Sequence, residues 1–210
     1  MRVVASSGSM RDFKEAEIDR HLEAMARVIE RAQDEGGMHL AFTLIVRSPS
    51  SAPAKALVSM KEELVRAAVS AKAILAKLEP EEDLRRLFAS LSELTPQEEA
   101  GGLIRWARNP RLLDAHEQAT YGDGVCWSGD AMRRDADKRN ALALFDDAAP
   151  DRARLGRLAF EALWAASSPI SQRRLLGPEA VKPSGAYEPP QETAPAPLQP
   201  SLQGWPLIRH

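Results

Sequence analysis

Asp114-Ala115-His116-Glu117-Gln118-Ala119-Thr120-Tyr121-Gly122-Asp123-Gly124-Val125-Cys126-Trp127-Ser128-Gly129-Asp130-Ala131-Met132 is the most informative stretch of this 210-residue chain. Residues 115–121 and 124–128 are short runs rich in β-formers on either side of a glycine turn, so they predict two strands. Upstream, 103–108 alternates apolar and basic residues as an edge or partly exposed strand does, and Pro110 stops it. Downstream, 141–145 reads as another short strand, and 151–165 returns to helical spacing through Leu155, Leu158, Ala162 and Leu163-Trp164.

Further towards the N-terminus the pattern alternates again. Ile18, Leu22, Met25 and Ile29 recur at steps of four, three and four among charged residues, which predicts an amphipathic helix from Asp12 to the Glu35-Gly36-Gly37 stop. Residues 39–46 form a short apolar run rich in β-branched and aromatic side chains, with few charges until Arg47, so a strand buried on both faces is expected. Ser48 to Pro53 is a loop by its turn residues. A helix over 54–70 follows, with Leu57, Met60, Leu64, Val65 and Ala68 on one face, while 72–78 fits either its extension or a second strand. Pro80 followed by Glu81, Glu82 and Asp83 starts a helix that runs to about Leu94, because proline suits the first turn and acids suit the positive end of the macrodipole.

This alternation predicts an α/β domain, a layered sheet with flanking helices, over 12–176. Residues 1–11 are expected to be a flexible N-terminus. From 177 to 210, prolines remove backbone donors and little apolar surface is available, so a disordered tail is expected. Its last apolar residues, Trp205, Leu207 and Ile208, offer a docking element for a protein partner or for the domain itself.

Composition narrows the function classes. Apolar residues make up 44% of the chain, enough for one core, and 28 basic residues against 30 acidic ones leave no broad cationic face for nucleic acid. Cys126 is the single cysteine, so an intramolecular disulfide is ruled out and a thiolate zinc site lacks partners. The first ten residues are too polar for a secretory apolar region, and no segment reaches the roughly 20 apolar residues of a membrane span, so a cytoplasmic protein is expected.

The pattern His116, one residue, Gln118, four residues, Asp123, then a short apolar strand and a glycine turn, resembles the phospholipase D superfamily, whose signature carries Lys where this chain has Gln118. Gly129-Asp130, Arg133-Arg134, Asn140 with Leu142-Ala143-Leu144-Phe145, and Phe160-Glu161-Ala162-Leu163-Trp164 extend the likeness from Ile104 to Pro169. The resemblance implies a phospholipase D-like fold, His116 as the nucleophile towards phosphorus, Asp123 as the carboxylate that orients it, and Gln118, Arg133, Arg134 and Asn140 around the ligand. It also implies a second histidine protonating the leaving group. A single motif copy would then need a homodimer with both histidines across the interface.

Two departures argue against turnover. Gln118 puts a neutral amide where a fixed cation should offset phosphate charge, and Asp130 puts a carboxylate where a hydroxyl would donate. Losing one preorganised group typically costs a factor of about 100 to 1,000, and an added anion repels phosphate. The expectation is therefore a degenerate, non-catalytic member with a binding or regulatory role. The alternatives are a phosphodiesterase or phosphatidyltransferase in which Arg133 or Arg134 supplies the missing charge, and an interaction module acting through the tail.

Plainer readings stand beside these. His116 also fits a hydrogen-bonded turn histidine, and His21 fits a boundary position on the first helix. His39 and His210 suggest no metal cluster, and no metal or cofactor is expected. Cys126 beside Trp127 fits a small buried hydrophobe, and Trp106, Trp127 and Trp164 fit core or core-edge residues. The basic run of Arg133, Arg134, Lys138 and Arg139 fits a solvated loop.

Overall fold

A computed structural model describes residues 10–34, 40–134 and 144–177 of the chain. Residues 1–9 of the expected N-terminal segment, 35–39, Lys138, Arg139, Asn140, the 141–143 part of the expected strand and the tail beyond 177 lie outside the described residues. The architecture is a mixed α/β layer fold built on a seven-stranded sheet. The strands are β1 (Ala41–Val46), β2 (Ser70–Leu75), β3 (Ile104–Trp106), β4 (His116–Tyr121), β5 (Val125–Ala131), β6 (Leu144–Asp146) and β7 (Ser168–Pro169), in the spatial order β6-β5-β4-β1-β2-β3-β7. β1, β2 and β3 run parallel, and every other pairing is antiparallel.

Helices α1 (Met10–Asp34), α2 (Ala52–Ser59), α3 (Lys61–Arg66), α4 (Glu81–Leu94) and the one-turn α5 (Ala100–Leu103) supply the larger apolar cluster. Phe42, Leu44 and Val46 of β1 and Ala71, Ala73 and Leu75 of β2 point into it at the period of two that a pleated strand imposes. Ile45 and Ile74 point the other way, into a small cluster with Ala107, Met132 and Phe160 under α6 (Pro150–Ala166). β1 and β2 are thus packed on both faces, as expected for parallel strands at the centre of such a sheet.

Some expectations need correcting. The helix expected over 54–70 is two short helices broken at Met60, and Val65 lies exposed. Ala68 takes a left-handed conformation with φ 52°, which turns the chain into β2 and decides the ambiguous 72–78 segment as strand for its first part. Of the two readings of 103–108, β3 is the partly exposed strand and not an edge: Arg105 and Trp106 are half-buried, and the two-residue β7 covers its outer side.

His21 is no boundary residue. It is fully buried, with Nδ1 2.8 Å from the Tyr121 hydroxyl and its ring against Trp127 and Phe145 at centroid distances of 4.9 and 4.8 Å. Burial pushes its imidazole down to about 3. The Tyr121 phenol is pushed well up by burial, then by the charges of Cys126 and Glu17.

On α6 the sheet-facing side is Ala153, Gly156 and Phe160, whereas Leu155 and Leu158, whose spacing marked the helix in the sequence, are exposed. Gly156 lets the helix lie directly on β4: a side-chain carbon there would meet the Gln118 amide and come within 2.7 Å of Thr120 Cγ2. The far end of α6 is fastened by Arg105, whose guanidinium stacks 4.9 Å from the Trp164 ring centroid and donates to the Trp164 carbonyl at 2.9 Å. Gly156→Leu is expected to push α6 off the sheet and lower stability by about 1–3 kcal/mol, read from urea denaturation. An unchanged midpoint would show that the close approach is not needed.

Candidate functional site

The carboxyl ends of parallel strands are where open α/β sheets place their ligands. Here that edge holds the end of β1, the loop leading to α2, the start of β4 and the end of β5. β4 runs antiparallel to β1 with Gln118 opposite Ile45, so His116 projects beyond the last residues of β1.

His116 is exposed, and its Nδ1 lies 2.8 Å from the Gly129 carbonyl oxygen. A carbonyl only accepts, so Nδ1 is the donor and carries a proton, which leaves Nε2 as the outward nitrogen. A β-bulge sets this contact. His116 pairs with Ala131 while Gln118 pairs with Ser128, so β5 spends one residue more than β4 between the two pairs. Gly129 fits there because a side-chain carbon would stand 2.6 Å from the Trp127 ring.

Beneath the histidine lies a buried ion pair. Glu117 is 1% exposed and Arg47 6%. Glu117 Oε1 accepts from the Arg47 backbone N–H at 2.8 Å and from the Ser51 hydroxyl at 3.0 Å, while Oε2 stands 3.5 Å from the Arg47 guanidinium. That guanidinium also donates to the Met132 and Ala131 carbonyls at 3.0 and 3.1 Å. Three segments distant in sequence are therefore clamped at this edge: the end of β1 with its following loop, the start of β4, and the end of β5.

The other expected members scatter. Asp123 lies in the turn at the far end of β4, roughly 17 Å of strand from His116, and pairs with Arg157 at 2.8 Å. It does not orient the imidazole; the Gly129 carbonyl does. Gln118 is half-buried beneath α6, with its amide nitrogen 3.4 Å from Cys126 Sγ. Arg133 is paired with Asp114, and Arg134 stands 3.3 Å from Asp130. Asp130 is buried, and its Oδ2 has no hydrogen-bond partner among the described residues. Asn140 lies outside the described residues.

Chemically, the edge presents one oriented imidazole whose nearest expected cations are each matched by a carboxylate. No protein-family model, curated protein or solved structure matches the chain. Among the described residues, no group of three or more His, Cys, Asp or Glu converges as a metal site, and no helix is long and apolar enough to cross a membrane. Sequence reasoning missed Arg47, Ser51 and Glu117. Their signal was faint: a charge closing an apolar strand, and a glutamate in phase with Ala119 and Tyr121 on the face that turns inwards.

Proposed function

We propose that this chain is a phospholipase D-like domain that binds at the His116 edge of its sheet and does not turn over phosphodiesters. One observation carries the reading: His116 keeps an oriented ring whose Nε2 has no partner among the described residues, while the residue at the place of the phosphate-clamping lysine, Gln118, is packed against Cys126 under α6. An imidazole so held can accept a hydrogen bond from a ligand, or donate one once protonated. Without a preorganised cation, the charge that builds on phosphate oxygens in the transition state has nothing to offset it. The carboxylates of Asp114 and Asp130, engaged with Arg133 and Arg134, weaken the alternative in which an arginine replaces the lysine.

The test uses the full chain with bis(p-nitrophenyl) phosphate as the probe for turnover and inorganic phosphate as the probe for binding. The expected results are no hydrolysis that depends on His116, and chemical-shift changes of the His116 ring and of backbone amides around Gly129 on phosphate titration, those of the amides being lost in His116→Ala. Hydrolysis abolished by His116→Ala would overturn the non-catalytic reading. A ring that ignores phosphate would overturn the binding one.

A further inference from the structure

Helix α6 is apolar on both sides. Its inner side, Ala153, Gly156 and Phe160, lies on the sheet. Its outer side carries Leu155, Leu158, Ala159, Ala162, Ala165 and Ala166, all exposed, with Leu155 and Leu158 at 59% and 60%. The spacing of three, one, three, three and one keeps these six residues in one stripe along the solvent side. A surface helix ordinarily gives that face to polar residues, and a helix apolar all round is one that is covered on both sides.

Charge decides what covers it. Arg154 and Glu161 are exposed and lie two turns apart on the same flank of the stripe. We infer that α6 is the contact of a two-fold homodimer in which the α6 helices of two copies pack antiparallel, centred near Leu158. A two-fold axis across the helices keeps like flanks together and reverses direction. Arg154 of each copy then meets Glu161 of the other, forming two equivalent ion pairs at the rim. Leu155 of each copy seats against the small Ala162 of the other, and the two Leu158 side chains meet at the centre beside Ala159. A parallel pairing would set the charged flank against the alanine flank and leave both charges unmatched.

The contact is one helix pair, at the low end of interface sizes, so it should dissociate in roughly the micromolar range. It uses a surface of α6 distinct from the sheet edge that carries His116, so its fate is independent of what that edge binds.

Sedimentation velocity on the full chain, from about 1 µM to about 1 mM, tests it. A concentration-dependent dimer is expected. Leu158→Glu, at an exposed position that leaves the fold intact by circular dichroism, should raise the dissociation constant about 100-fold, because the substitution acts twice at the centre. Arg154→Glu and Glu161→Arg should each weaken the dimer several-fold, by about 3 to 10 times, and the double exchange should restore it. A chain that stays monomeric throughout overturns the inference, whether solvent or the chain's own apolar segment 202–208 covers the stripe. A dimer indifferent to Leu158→Glu, or a double exchange that restores nothing, overturns it as well.

Discussion

Glu117→Ala is expected to destabilise the protein by about 3–5 kcal/mol, the cost of leaving a buried guanidinium without its anion. The carboxylate also accepts the Arg47 backbone N–H and the Ser51 hydroxyl, so its loss strands two further donors. The loss should fall on the junction of β1, β4 and β5, since Arg47 reaches the carbonyls at the end of β5 from its place beyond β1. Arg47→Met is expected to cost a similar amount, because it takes the guanidinium counter-charge away from the buried Glu117 carboxylate. The double variant Arg47→Met/Glu117→Leu should cost clearly less than the two singles combined, since neither charge is then left unpaired. Urea denaturation of the four proteins gives the cycle, and strict additivity would mean that the two side chains do not act as a pair.

Acid should weaken the fold through His21. In the native protein its imidazole stays neutral down to about pH 3, whereas in the unfolded chain it takes up a proton near its ordinary value of 6.5. Below 6.5 the unfolded state therefore binds more protons, so this contribution is complete above about pH 7 and is lost as pH falls towards 3. The slope is about 1.4 kcal/mol per pH unit, for a loss on the order of 5 kcal/mol across the window from 6.5 to about 3. His21→Gln removes the titration and is expected to flatten the urea midpoint between pH 7 and pH 4, whatever it costs at neutral pH. Parallel pH profiles for the two proteins would show that His21 does not carry the acid sensitivity.

The readable parts of this chain were those where local pattern and tertiary burial agree. α1 shows its apolar stripe, α4 starts on a proline and three acids, and β1 is an uninterrupted apolar run at the centre of the sheet. β2 was ambiguous because strands packed on both faces lose their alternation, and Ala71, Ala73 and Ile74 suit a helix equally well. The break at Met60 and the left-handed Ala68 involve residues with no local aversion to helix; they follow from the need to bring the chain back to pair beside β1. His21 looked peripheral because its neighbours in sequence are charged, while its aromatic partners Tyr121, Trp127 and Phe145 are more than ninety residues away.

At the site, the histidine was legible and its company was not. Seven positions join His116 to Asp123, but an extended strand turns that short spacing into the length of the sheet edge to edge. What orients the ring is a main-chain oxygen brought into place by an extra residue in β5, and residue types carry no mark of such an irregularity. The paired Arg47 and Glu117, seventy positions apart, meet only once β1 and β4 are aligned.

The unequal depth of the two apolar clusters has a consequence for motion. On one side the sheet shares a continuous core with α1, α2 and α4; on the other, α6 rests on a handful of side chains and the Arg105 clasp. Amide protons of α6 should therefore exchange through partial openings that leave the opposite layer closed, because cooperative units with few buried contacts release first. Such an excursion would uncover Gln118 and Cys126 while the His116 edge, held by Arg47 and Glu117 from the opposite layer, stays assembled.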